Sequence, residues 1–244
     1  MNHYSLPHPA SESLRLEAVT ACVGFDDFLD VALAHNHPHL DTMIVVTSHD
    51  DRRTQAVCKK HGAICVQTDL FHKNGRRFNK GAALNAGMSR FQYHGWRLHL
   101  DSDVLLPDNF RRMLFNHTHL DPHCVYGCDR VDVLAEELKS LGRKLQHSYS
   151  AFVGSPIERE TSPRYVDPLR GYVPIGFFQL WHAQAQKSYP YSLGTAAHDD
   201  VMFAEQWAQE HRRHLPTVIV HHLCARKPKL GENWDGHRRQ PRMQ

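Results

Sequence analysis

Short apolar runs and helix-period segments alternate through the first hundred residues. Leu14 to Val23 (LRLEAVTACV) reads as a strand. Gly24 breaks it, Asp26 and Asp27 supply acidic residues at a helix start, and Phe28, Leu29, Val31, Ala32 and Leu33 fill the turns that follow. His35 to Asp41, with Pro38 inside, reads as a connection. Met43 to Thr47 is a continuous apolar run of the kind found in buried parallel strands. Capping side chains crowd Thr47 to Asp51, Thr54 to His61 is helical, Gly62 caps that helix, and Ala63 to Gln67 is a third strand. Strand, helix, strand, helix, strand is the signature of a parallel α/β sheet with crossover helices, which takes ligands outside the carboxyl ends of its strands.

The pattern continues with a basic loop, Phe71 to Phe78, turning at Asn74-Gly75. Leu84, Met88 and Phe91 then fall at helical spacing, and Ala83, Ala86 and Gly87 permit close approach to the sheet. Leu98 to Leu100 is a buried strand that runs into Asp101-Ser102-Asp103. Asn109 to Asn116 reads as a helix, Cys124 to Val133 as a strand, and Val131 to Leu145 as helical. Gln146 to Pro168 carries four prolines or glycines and little period, which predicts a long loop. Tyr172 to Trp181 reads as a strand or substrate wall whose first half Pro174 demotes to an edge or bulge. Tyr189 to Gly194 is a turn, His198-Asp199-Asp200 opens a helix with Phe203 and Trp207 on its apolar face, and Thr217 to Val220 is a strand delivering His221-His222 to its end. Leu230 to His237 reads as a polar loop.

With 244 residues, 41% apolar and 23% charged, the chain has the composition of a globular domain with a full core. A net charge of +3 is too weak to imply nucleic acid by itself. The 21 histidines are scattered. Residues 1–13 form a polar, flexible lead-in without a signal-peptide core, and no run is long enough to span a membrane, so the expected location is the cytoplasm. Free thiols are expected for the six cysteines. Cys124 and Cys128 have clip-like spacing, but i and i+4 on a strand lie roughly 13 Å apart at about 3.3 Å per residue, too far for one ion.

The candidate chemistry gathers at predicted strand ends. Two carboxylates one residue apart, Asp101 and Asp103, are costly to desolvate unless neutralised, and a divalent cation such as Mn²⁺ or Mg²⁺ would do that. The same residues also suit a plain surface turn. Asp50 and Asp51 could accept from a nucleotide base or ribose, or cap a helix. Arg76, Arg77 and Lys80, at or before a helix start, suit a diphosphate or a solvated basic loop. Asp199 and Asp200, beside a Gly-Thr-Ala-Ala segment, suit a general base or a helix cap. One imidazole of His221-His222 could complete a metal shell, or be structural.

Taken together, these pieces resemble the GT-A superfamily of nucleotide-sugar glycosyltransferases, in its family-2-like and β-1,4-galactosyltransferase-type branches. FNKGAALNAG (Phe78 to Gly87) is similar to the family's FN(K/R)GxxLNxG helix, and Leu100-Asp101-Ser102-Asp103-Val104 to its D-x-D. Val46 to Asp51 stands where the second strand delivers an acid to the base, His198-Asp199-Asp200 where the acidic E-D-D stands, and His221-His222-Leu223 with Asn233-Trp234 resembles the late H-L…N-W element. His198 replaces the usual Glu, and the Trp-Gly-rich run before it is absent.

The resemblance implies a GT-A fold with a Rossmann-like, mostly parallel central sheet flanked by helices, over residues 14–237. Residues 14–107 would be the nucleotide-sugar half, 108–237 the acceptor and catalytic half, and 238–244 a disordered basic tail. It implies transfer of a sugar from a UDP-linked donor to an acceptor hydroxyl with inversion. Asp101, Asp103 and His222 would hold Mn²⁺ (or Mg²⁺). Asp50, Asp51, Arg76, Asn79, Lys80 and Asp101 would contact the donor, and Asp199 would be the base. The acceptor would be a glycan, a protein or a hydroxylated DNA base. Two other classes stay open. A nucleotidyltransferase would need more glycines than Cys22-Val23-Gly24-Phe25 offers, and a non-catalytic sugar- or nucleotide-binding module would leave Asp101, Asp103, Asp199 and His222 unexplained.

Overall fold

The computed structural model describes residues 14–75, 78–116, 119–134, 166–167, 169–190, 195–225, 237–238 and 241–243. The strands are β1 (Leu16–Ala21), β2 (Thr42–Thr47), β3 (Ile64–Gln67), β4 (Trp96–Leu100), β5 (Val104–Leu105), β6 (Val125–Leu134), β7 (Val166–Asp167), β8 (Gly171–Tyr172), β9 (Phe178–His182) and β10 (Arg212–Cys224). The helices are α1 (Asp26–Asn36), α2 (Arg52–His61), α3 (Lys80–Met88), α4 (Phe110–Asn116) and α5 (Ala196–Ala204). Eight strands form one sheet in the order β3-β2-β1-β4-β9-β6-β10-β5, and β7 pairs with β8 apart from it.

The first four strands of that order run parallel, as their apolar runs predicted. β9 lies antiparallel between β4 and β6, which restores β6 and β10 to the direction of β4. The carboxyl ends of β1, β2, β4, β6 and β10 therefore share one edge of the sheet. The fold is thus the α/β sheet flanked by helices expected from sequence, mixed but mostly parallel.

Close packing fixes where that edge sits. A Cβ on Gly87 would lie 2.5 Å from Val46 Cγ2 and 2.7 Å from Val19 Cγ2, so α3 rests directly on β1 and β2. Asn36, buried at the end of α1, donates from Nδ2 to the Val104 carbonyl at 2.8 Å and accepts from Leu106 N at 2.9 Å. One side chain thereby satisfies both backbone groups of the segment that leaves Asp101-Ser102-Asp103.

Several expectations need correcting. Residues 131–134 continue strand β6 rather than starting a helix, because each pairs with β10 in register; residues 135–145 lie outside the described residues, as do 146–165 of the expected loop. Phe71 to Gly75 belongs to a 3₁₀ helix, Leu70–Gly75, not to an irregular loop. His37–His39 is also 3₁₀ helix, which the proline at its start permits. Tyr172 to Trp181 is not one strand: Val173 to Phe177 separates β8 from β9. β10 is far longer than Thr217 to Val220 and carries a register shift between Leu215 and Ile219, so His221 and His222 lie within the strand rather than at its end.

The basic tail was expected to be disordered, yet its described part is docked on the start of α1. Arg238 makes a two-pronged pair with Asp27 (2.5 and 2.8 Å) beneath a stack on Phe25 and Phe28, and Arg242 pairs with Asp26. The two carboxylates that the helix N-terminus favours, Asp26 and Asp27, supply the opposite charge for that contact. All six cysteines are free. Among the described residues no helix is long and apolar enough to cross a membrane.

Candidate active site

Two groups of side chains occupy the carboxyl edge. The first surrounds Lys80, the opening residue of α3, whose ammonium lies 2.9 Å from Asp101 Oδ1 and 3.2 Å from Asp200 Oδ2. Lys80 is buried, and burial alone would favour its neutral form, but the two carboxylates hold its pKa above the ordinary value. Asp101 is likewise held well below the usual carboxylate range: burial opposes this, and Lys80 outweighs it. Asp200 moves the other way, up to about 6, because burial dominates and the charge of Asp101 adds to it. One lysine between two carboxylates thus leaves the more enclosed one the harder to ionise.

A hydrogen-bond chain supports this group from below. Gln179 donates from Nε2 to the Pro174 and Asp200 carbonyls, which turns its Oε1 toward Tyr189. The Tyr189 hydroxyl donates to Gln179 Oε1 at 2.6 Å and lies 2.6 Å from His99 Nδ1, so the Nδ1 proton is the one that network geometry requires. The other nitrogen of His99 lies 3.6 Å from Asp101 Oδ1. Gly176 covers Asp200 so closely that a Cβ there would fall 1.9 Å from Asp200 Oδ2. Asp200 Oδ1 has no hydrogen-bond partner among the described residues.

The second group is built by strand register. His222 on β10 pairs across to Asp132 on β6 and to Val104 on β5. Its Nδ1 lies 2.8 Å from Asp132 Oδ1 and its Nε2 lies 3.4 Å from Asp103 Oδ2. Burial disfavours charge on His222, but Asp103 and Asp132 together hold its pKa well above the ordinary value. Leu223 N donates to the Asp103 carbonyl at 2.7 Å, and Val104 N to the Asp101 carbonyl at 3.2 Å, so the Asp101–Asp103 segment is a tight turn clamped to β10.

The structure places the remaining candidates as follows. Asp51 is the N-cap of α2 and its carboxylate accepts from Thr54 N, Thr54 Oγ1, Gly24 N and Thr47 Oγ1. It ties the loop after β1 to that after β2. Asp50 is exposed, its carboxyl lowered by the Ser48 hydroxyl. Asn79 caps α3, accepting from Ala82 N at 3.2 Å. Asp199 is buried and its Oδ2 accepts from Gly81 N at 2.9 Å, which joins α5 to the start of α3. Arg76, Arg77, Asn233 and Trp234 lie outside the described residues. His99, Tyr189, Gln179 and Asp132 escaped sequence reasoning. A histidine in the middle of an apolar strand was the one available signal; Asp132 becomes visible only through register.

The chain shares this mixed α/β fold, at low sequence identity, with GT-A glycosyltransferase structures. A mycobacterial protein aligns with TM-score 0.56 and 16% identity over 90% of this chain and 70% of its own. Glucosyl-3-phosphoglycerate synthase of Mycobacterium tuberculosis aligns with TM-score 0.51 and 13% identity, over 88% of this chain and 74% of its own. The same enzyme in complex with Mn²⁺, UDP-glucose and phosphoglyceric acid aligns with TM-score 0.50 and 13% identity, over 88% and 73%. No protein-family model matches the chain, and no curated protein matches it by sequence.

Proposed function

We propose that the chain is a metal-dependent glycosyltransferase that moves a sugar from a UDP-linked nucleotide sugar to an acceptor hydroxyl. The observation that carries this reading is the Asp103–His222–Asp132 arrangement at the carboxyl edge of a GT-A sheet. Adjacent ligands of an octahedral ion at about 2.1 Å lie about 3 Å apart, close to the 3.4 Å between Asp103 Oδ2 and His222 Nε2. A carboxylate on the far nitrogen, as Asp132 supplies at 2.8 Å, is the usual support for a metal-binding histidine. A hard oxygen and an imidazole suit Mn²⁺ or Mg²⁺, and Asp101 would add the second carboxylate of the turn.

When bound, such an ion stabilises the charge of a departing diphosphate. Lys80 holds Asp101 and Asp200 in place and draws charge off the pocket floor. Asp50 stands exposed at the β2 end, where a base or ribose would lie, and Arg76 would meet the diphosphate. For the proton acceptor, geometry favours Asp200 over Asp199. Oδ2 of Asp199 is committed to Gly81 N, whereas Asp200 keeps an oxygen without a hydrogen-bond partner among the described residues; that oxygen is buried beneath Gly176 and has to be uncovered for an acceptor to reach it. Deprotonation by that carboxylate gives a single displacement with inversion.

The test is a thermal-shift and turnover panel with UDP and UDP-glucose, with and without Mn²⁺, chosen because the structural neighbour was solved with each of them and Mn²⁺. A UDP shift that requires Mn²⁺ and disappears in Asp103→Asn and His222→Gln supports the reading. Binding without turnover of any donor would make the chain a binding module. Asp200→Asn should cut turnover and spare UDP binding, and the anomeric configuration of the first product tests inversion. A glycan, a protein and a hydroxylated DNA base form the acceptor screen.

A further inference from the structure

Behind the face of His222 that meets Asp103 lies a second set of donors. Cys224 follows His222 by two residues on β10, so both side chains share one face of the strand. Asp132 stands opposite His222 in register on β6. Asp132 Oδ1 is 2.8 Å from His222 Nδ1, Cys224 Sγ is 3.4 Å from the same nitrogen, and one ligand atom from each of the three residues lies within 4.8 Å of the others. We propose that Asp132, His222 Nδ1 and Cys224 form a site for a thiophilic divalent cation of the Zn²⁺ type, which takes the imidazole away from the Asp103 side.

The chemistry of the donors selects the ion. A thiolate, an imidazole and a carboxylate suit Zn²⁺, whereas Mn²⁺ and Mg²⁺ favour oxygen. Tetrahedral Zn²⁺ at ordinary bond lengths separates its nitrogen and oxygen ligands by about 3.4 Å and its nitrogen and sulfur ligands by about 3.6 Å. The sulfur already stands near that distance, and Asp132 needs to retreat by about half an ångström, which its side chain at 34% exposure allows. The carboxylate and the thiolate balance the ion's charge. Among the described residues Arg130 Nε, 3.9 Å from Asp132 Oδ1, is a cation that opposes it; its guanidinium lies over the Phe177 ring.

Exclusion follows from the histidine having one proton to place. A neutral imidazole bound through Nδ1 carries its proton on Nε2. Nε2 is then a donor toward Asp103 Oδ2 at 3.4 Å and has no lone pair for a cation there. Binding releases the thiol proton and the proton on Nδ1, and leaves the imidazole's remaining proton on Nε2. This exclusion rests on the Asp103–His222 metal reading proposed above; the thiophilic site itself does not.

The probe is Co²⁺ added to the metal-free full chain, because cobalt reports its ligands optically. The expected result is one equivalent bound with thiolate-to-cobalt charge-transfer absorption. The absorption should vanish in Cys224→Ser and persist in Cys124→Ser, and Co²⁺ should bind at least tenfold more weakly to Asp132→Asn. No thiolate absorption, or absorption retained in Cys224→Ser, overturns the site. Mn²⁺ binding is then followed by electron paramagnetic resonance: one equivalent of Zn²⁺ should abolish it in the parent protein but not in Cys224→Ser. Mn²⁺ and Zn²⁺ bound together would overturn the exclusion. Cobalt–thiolate absorption in a chain that never binds Mn²⁺ would sustain the thiophilic site and remove the catalytic-metal reading alone.

Discussion

Replacing Tyr189 with Phe removes one oxygen from a buried hydrogen-bonded cluster and leaves its packing in place. The ring stacks on Phe203 with centroids 4.1 Å apart, and phenylalanine keeps that contact. The hydroxyl is what holds His99 Nδ1 and Gln179 Oε1, each at 2.6 Å, and both residues are fully buried. Orphaning a buried polar group costs about 1–3 kcal/mol, so two orphans set an upper bound near 6 kcal/mol. The two partners already lie 3.3 Å apart and can close on each other, which recovers most of one bond. The expected loss is therefore about 2–3 kcal/mol in a urea titration, with an unchanged slope. Tyr189→Phe combined with Gln179→Leu should cost at least 1 kcal/mol less than the sum of the single changes, because each removes a partner the other needs. A loss under about 0.5 kcal/mol, or an additive cycle, would refute the claim that this hydroxyl organises the layer beneath Lys80 and Asp200.

Three further predictions concern other elements. Gly87→Ala should destabilise by about 1–3 kcal/mol, since the new methyl would press into Val46 and Val19; unchanged thermal stability would mean that α3 does not seat as described. Asp51→Ala should lower stability by about 1–3 kcal/mol, because the cap and the tie to Gly24 are lost together, whereas a role in ligand binding alone would leave the unfolding midpoint where it is. His39, buried against Phe110, has its pKa lowered to about 4 by burial, with His35 and Arg111 adding. The unfolded chain therefore binds a proton that the folded chain refuses between pH 6.5 and 4, and stability falls as pH drops through that window. The His39 share is about 1–2 kcal/mol by pH 5, read as the difference in slope between the parent and His39→Gln in denaturation at pH 7 and pH 5; parallel slopes would sink it.

Most of the fold was legible because the first half of the chain obeys local rules. Apolar runs such as Met43 to Thr47, short and rich in β-branched residues, suit buried strands, and Gly62 closes α2 in the left-handed conformation at φ +68°, as its position demanded. The second half breaks those rules where tertiary pairing decides. Residues 131–134 carry Val, Asp, Val and Leu, a pattern that alternates like a strand but adjoins an acidic segment that reads as helix. The partner strand β10 settles it, and that partner is some ninety residues away, at His222 opposite Asp132. Arg238 tells the same story: a basic tail is disordered by composition, unless Asp26 and Asp27 happen to sit bare at a helix start within reach.

The candidate site shows where such reading stops. Motif spacing singled out Lys80, Asp101, Asp103, Asp199, Asp200 and His222 as candidates. It could not say what each side chain touches. Lys80, expected beside a phosphate, lies between Asp101 and Asp200; Asp51, expected beside a base, accepts from four donors. In both cases the residue type fitted either role, and what separates the roles is competition for one ammonium or one carboxylate. That competition is three-dimensional. Asp199 and Asp200 are adjacent in sequence and both face the opening of α3, yet one binds its backbone and the other its lysine. A helix rotates successive side chains by about 100°, so a hydrogen-bond donor and an ammonium one residue apart on α3 are enough to give the two carboxylates different partners, Gly81 N for Asp199 and Lys80 for Asp200.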